Sequence, residues 1–472
     1  MVMQHAEPTT GSVSATQSDV QAYAWVVFAL TAGLLLSDYM SRQVLNAVFP
    51  LLKFTWALSD ARLGSLSSIV ALMVGVLTFP LSVLADRWGR VKSIVLMAGL
   101  WSLATLGCAI STSYGEMLLA RAFVGIGEAA YGSVGAAVVL SIFPARLRAT
   151  ITGALLAGGA FGSVLGMAIG GAVAAHLGWR AAFGAMSGLG IVLVVCYRFG
   201  VTEKRLASLQ PATLNKQPES LGVRMSLRAL MRGLFSTKSV VCAYAGSGIH
   251  LLVPAAVWAW MPSFLNRYYG MPPGKAAMTA AVFVLVTGLG MVVCGNLADR
   301  LSKNARERQW GAAIASCLIC FTLLAIGFRM PAGPLQLVVI AAGMFFSAGA
   351  SGASGAMVAN LTPPSIHASA FATLALANNL LGLAPAAVLM GAVADRIGLL
   401  GALQLVPLAS LMAAIAFFIG RRHYTRDMGR VSALREQADG TRVVGVEEPS
   451  ANPGSPCRAT ACSGRIITEQ DN

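Results

Sequence analysis

The sequence predicts an all-α membrane protein, with twelve transmembrane helices in two six-helix bundles. Three observations predict it. Of the 472 residues 56% are hydrophobic and only 11% charged, with a mean hydropathy of +0.70, too apolar for a water-soluble globule. Spanning helices need about 20 mostly apolar residues; such stretches recur between Ala22 and Gly420, whereas the alternating segments of a spanning barrel do not appear. Finally, a polar segment at 200–238 divides the spans six and six.

Taken in order, the first 21 residues hold Glu7 and Asp19 but no Lys or Arg, so no cleavable leader is expected and 1–21 reads as a cytoplasmic tail. The first bundle, 22–199, holds spans at 22–49, 62–85, 92–111, 116–143, 149–175 and 180–199. Residues 200–238 form a cytoplasmic linker. Arg224, Arg228 and Arg232 repeat there at helical spacing among Leu227, Leu230, Met231, Leu234 and Phe235, which predicts an amphipathic helix on an anionic leaflet. The second bundle, 239–420, holds spans at 239–265, 275–298, 309–328, 334–360, 368–394 and 399–420. Beyond it, 421–472 is polar and expected to be disordered.

Charge fixes the expected orientation. With both termini cytoplasmic, inner loops and tails carry 25 of the 34 basic residues and outer loops 7, which agrees with the rule that positive loops stay inside. The net charge of +15 therefore belongs to the inner surface and implies no nucleic-acid partner. Cys317 and Cys320 form a CxxC without a second pair or nearby His, so they read as packed thiols, and no metal or cofactor is expected. A phosphate-binding Gly-rich loop and a catalytic constellation are both absent from the sequence, which argues against ATP-driven transport and against an enzyme.

An internal repeat links the halves. SVLADRWGR, Ser82 to Arg90, ends the second span, and GNLADRLSK, Gly295 to Lys303, ends the eighth. A weaker echo, GAVADRIG from Gly391 to Gly398, closes the eleventh span at the opposite end and is given no role. The repeat resembles the signature of the major facilitator superfamily, G-x-L-A-D-R-x-G-R-(K/R), matched at Leu84, Ala85, Asp86, Arg87, Gly89 and Arg90. Ser82 stands for its glycine and Val91 for its last base. The resemblance implies two bundles working by alternating access, with Asp86, Arg87, Gly89, Arg90, Asp299 and Arg300 at a cytoplasmic gate. Gly153, Gly162, Gly166, Gly170 and Gly171 are similar to the superfamily's glycine motif in the fifth span and should let another helix approach, although Met167 replaces its proline.

Finer resemblance lies in LLARAFVGIGEAAYG, Leu118 to Gly132, which is similar to the bacterial Spinster-like branch at Arg121, Gly125, Gly127, Glu128 and Ala129. The first span departs from that branch. Its DYMSRQ keeps Arg42, has Ser41 where the branch has an acid, and has Asp38 one turn earlier. The branch implies amphipathic or lipid-like solutes.

Four charges remain within the membrane: Asp38, Arg42, Arg121 and Glu128. Each costs roughly 2.5 to 3.5 kcal/mol on insertion scales, so they should pair and face a cavity. Asp38 and Arg42 lie one turn apart, and Arg121 and Glu128 two turns apart, so each pair shares a helix face. The expectation is a single cluster in which Glu128 is a titrating or ion-paired carboxylate, Asp38 is the proton-binding acid, and the arginines act as partners or anion binders. His250, Tyr39, Tyr131, Asn378 and Asn379 are further candidates for the cavity wall, with Trp258 and Trp260 as possible aromatics.

The expected function is thus a proton-coupled secondary transporter of a small organic or amphipathic solute, monomeric, in a bacterial inner membrane. Its partners would be the solute, protons and the bilayer. A uniporter or an organic-anion symporter is the alternative, and a non-transporting membrane sensor the more remote one.

Overall fold

The computed structural model describes residues 17–203, 205–206, 227–302, 307–363 and 366–444. Among the described residues, eleven helical stretches are long and apolar enough to cross a membrane: Gln21–Trp56, Asp60–Ala85, Arg90–Ile110, Tyr114–Ile142, Thr150–Leu177, Trp179–Gly200, Lys238–Tyr269, Pro273–Ser302, Arg308–Gly327, Pro334–Leu361 and Ser369–Gly429. The last covers 61 residues, about three times what a bilayer needs. It turns at Gly398, whose φ of 80° suits only glycine, and so makes two antiparallel spans. Twelve spans result. Leu96, Leu103, Val292 and Leu335 are among the many apolar side chains left on the outside, where lipid is the solvent.

Even spans return the chain to the end at which it begins, here called the terminus end; Asp60, Arg267 and Asp395 mark the opposite, far end. The six spans of each half pack mainly on one another, and the halves meet along spans 5 and 8, 2 and 11, and 1 and 7. Among the described residues, the hydrogen bonds across this seam join the second span to the seventh or eleventh, from Ser68 to the far end.

Two spans are interrupted at equivalent places. The fourth stops at Glu128 and restarts at Tyr131, and the tenth stops at Ser347 and restarts at Gly349. Helix interruptions free backbone carbonyls that must find donors inside a membrane. Thr78 donates its hydroxyl to Ala129 O at 2.7 Å, and His250 Nε2 donates to Ser347 O at 2.7 Å. A wider helical turn at Asn378–Leu383 interrupts the α-helix of the eleventh span.

Two expectations about the elements are corrected. The first helix does not stop at Phe49 but continues through Pro50 to Trp56. The chain does not lose order at residue 421: helix continues to Val444, with Tyr424 against Trp310 and Asp427 buried. Asp427 accepts the Ser239 N–H at 3.0 Å and its hydroxyl at 2.7 Å, which anchors this extension on the seventh span. In the linker, helix is described only over Leu227–Leu234; Arg224 and the tail cysteines Cys457 and Cys462 lie outside the described residues.

Candidate transport site

Asp38 and Arg42 project from one face of the first span, and Glu128 comes from the last turn of the fourth before its interruption. Arg42 Nη2 lies 2.9 Å from Glu128 Oε2, and Arg42 Nε donates to Asp38 Oδ1 at 3.4 Å. Both carboxylates are buried. One guanidinium thus serves two acids, and with both ionised the trio carries a net charge of −1. Tyr39 lies beside it, its ring centroid 5.6 Å from the guanidinium carbon.

Arg121 does not join this trio. Its Nε donates to Leu66 O at 3.3 Å and its Nη1 to Ser41 O at 3.4 Å, which ties the fourth span to the second and first. Among the described residues no carboxylate oxygen lies within 4 Å of it. The expected four-charge cluster is therefore three charges together and one apart.

Both arginines border a cavity of about 90 Å³ between the halves, with Gln43, Asn46 and Ser67 on one wall and Ala255, Trp258, Leu383 and Ala387 on the other. Ser67 donates to Asn46 Oδ1 at 2.9 Å, and Asn46 Nδ2 donates to Gln43 Oε1 at 2.8 Å. This chain engages both amide oxygens with donors of the same bundle. With two arginines and the remaining amide N–H groups on this wall, the first bundle offers mainly donors and positive charge, an environment for an anion. The second bundle contributes apolar surface and the Trp258 indole.

Other candidates lie elsewhere. His250 is not on the cavity wall: it sits inside the second bundle, with Nδ1 3.2 Å from Ser410 Oγ and 3.4 Å from Cys317 Sγ. Tyr131 is buried against Trp101 and donates to Thr31 O at 2.7 Å; with Tyr39 it borders a separate apolar cleft. Trp260 is buried and donates to Ala387 O. Asn378 accepts from Ser247 at 2.8 Å, and Asn379 Oδ1 is buried without a partner. Gly162, Gly166 and Gly170 pack on the first span and Gly171 on Ala277 of the other half. Gly153 is the exception, with nothing within 4 Å of where its Cβ would be.

At the terminus end, the Asp86 side chain lies outside the described residues; Arg87, Asp299 and Arg300 are exposed and Arg90 partly so. Gly89 turns the chain at a φ of 94° beside Glu203, whose Oε1 accepts the Val91 N–H at 2.9 Å. Sequence reasoning missed Glu203, and also Gln43 and Asn46, whose amides are ordinary in any helix. It missed the far-end group too: Lys53 and Arg267 both pair with Asp60, at 2.6 and 2.7 Å.

A match to the family described as Major Facilitator Superfamily covers residues 31–382. The chain belongs to this superfamily. Among curated superfamily relatives, the gallate transporter of Pseudomonas putida is 26% identical over 372 residues, covering 74% of this chain and 81% of the relative. The hexuronate transporter of Bacillus subtilis strain 168 is 21% identical over 333 residues, covering 69% and 77%. Among solved structures, a bacterial homologue of the human lysosomal transporter Spinster, in an inward-facing and unoccupied conformation, superposes with a TM-score of 0.76 at 19% identity, covering 86% of this chain and 98% of that one. This superfamily member is an integral membrane transporter for small molecules, and its fold is that of the Spinster homologue.

Proposed function

We propose that the protein is a proton-coupled transporter of a small organic anion, working by alternating access from a bacterial inner membrane with both termini in the cytoplasm. The observation that carries this reading is the division of charge at the cavity: two acids share Arg42, while Arg121 has no carboxylate partner among the described residues. One proton on Asp38 or Glu128 neutralises the trio. An incoming carboxylate then meets the positive charge of Arg121 and the amide donors of Gln43 and Asn46. Loss of that proton on the other side restores the negative trio and repels the anion, which links the two movements. Relatives named for gallate and hexuronate, both organic anions, favour an anionic solute over a lipid-like one. The excess of basic residues in terminus-end loops supports the orientation.

The test uses purified protein in liposomes holding a pH-sensitive dye. Small aromatic and hydroxylated carboxylates are added outside, each beside its uncharged amide. Internal acidification that needs the carboxylate and is lost in Glu128→Gln is expected. Equal responses to acid and amide, or proton flux unchanged in both Glu128→Gln and Asp38→Asn, overturn the reading.

A further inference from the structure

At the far end the eleventh span closes on the second through a carboxylate. Asp395 Oδ1 accepts the N–H of Asp60 at 2.7 Å, and its Oδ2 accepts the N–H of Ala61 at 2.9 Å. These are the first two amides of the second span, which have no partner within their own helix. The next amide, of Arg62, is taken by the span's own cap, Ser59, at 3.3 Å. Cap duty is thus divided: Ser59 serves one amide from within the bundle, and Asp395 serves two from the opposite bundle. A carboxylate on a helix N-terminus is favoured by both the hydrogen bonds and the helix dipole.

The Asp60 side chain completes the closure from the other direction. It pairs with Lys53 of its own bundle at 2.6 Å and receives two hydrogen bonds from Arg267 of the seventh span, at 2.7 and 2.8 Å. Two acids and two bases sum to zero, so the group can be held without a counter-ion. Gly391 lets the backbones come this close; a Cβ there would collide with the Asp60 carbonyl.

We infer that Asp395 is the latch that holds the far end shut, and that releasing its two hydrogen bonds is a required step in opening the cavity to that side. Its sequence context supports this. Asp395 belongs to the third Ala-Asp-Arg of the chain, after Ala85-Asp86-Arg87 and Ala298-Asp299-Arg300, and it alone sits at the far end. The repeat therefore supplies one acid for the seam at the end opposite to the other two.

The test needs no solute, so its failure is distinguishable from failure of the anion reading. Ser67→Cys places a thiol in the cavity, and a membrane-impermeant maleimide is applied to right-side-out and inverted vesicles, with protein lacking this cysteine as background. In Asp395→Asn, labelling from the far face should rise about tenfold, the equilibrium shift for about 1.4 kcal/mol, while labelling from the terminus face falls. Gly391→Val, which touches no charge, should shift both rates in the same directions. Unchanged far-face labelling in Asp395→Asn overturns the latch, as does an equal rise from both faces, which would report general loosening. A shift in Gly391→Val alone leaves close packing as the cause and removes the carboxylate from the account.

Discussion

Arg42 of the first span reaches Glu128 of the fourth at 2.9 Å, and the same guanidinium holds Asp38 at 3.4 Å. The pair therefore cannot be considered without the second acid. Removing the cation leaves two buried carboxylates facing each other, whereas removing one acid leaves a balanced pair.

Arg42→Gln should accordingly destabilise the protein by about 3 to 5 kcal/mol, the usual cost of an uncompensated buried charge. Adding Glu128→Gln should recover part of that loss. Thermal melting in detergent of both single variants and the double variant measures the coupling; strictly additive losses would contradict the shared guanidinium.

Arg121→Gln should raise the KM for an anionic solute at least about tenfold, the effect of losing one charge-assisted contact of about 1.4 kcal/mol or more. It also leaves the Leu66 and Ser41 carbonyls with poorer donors, so a lower melting temperature is expected. Arg121→Lys restores charge but not the two-armed geometry. Uptake kinetics on Arg121→Lys should show partial recovery of KM.

The glycines of the fifth span should separate sharply. At Gly166 an added Cβ meets Met40 Cα at 2.5 Å, so Gly166→Ala should cost about 1 to 3 kcal/mol through overpacking. Gly153→Ala meets nothing within 4 Å and should be neutral or stabilising by about 0.4 to 1 kcal/mol, since alanine suits a helix better. Unfolding temperatures of the two variants check this contrast.

His250 binds Ser347 O, Ser410 and Cys317 within the second bundle. Its Nε2 must donate to a carbonyl while Nδ1 can accept, which satisfies the neutral ring. His250→Ala should lower the melting temperature by freeing the carbonyl at the interruption of the tenth span, yet leave the pH profile of uptake where it was. A displaced profile would assign the imidazole to the proton path.

The fold was legible because its signals are long. Apolar runs of membrane length, basic loops at alternate turns and the Ala-Asp-Arg repeat each follow from the bilayer or from duplication. The site was legible in part. Asp38, Arg42, Glu128 and Arg121 stand out because charge within a span is costly, but their division into three and one depends on which carbonyls Arg121 can reach, and spacing along two helices does not contain that. His250 shows the opposite limit: a lone imidazole in a span can face a cavity or serve a broken helix, and only the Ser347 carbonyl decides. Asp395 was visible as an echo without a partner, since its ligands are backbone amides that carry no side-chain signature.

Asp427 gives the order of synthesis a structural meaning. The seventh span begins at Lys238, yet the carboxylate that holds the N–H and hydroxyl of its second residue, Ser239, lies 188 residues later, in the helix that continues beyond Gly420. As the chain emerges from the ribosome, the second bundle therefore enters the membrane with its first helix end incomplete. That end is finished only when the twelfth span has arrived. A chain cut at Gly420 would keep all twelve spans and still lack the residue that closes the bundle they form.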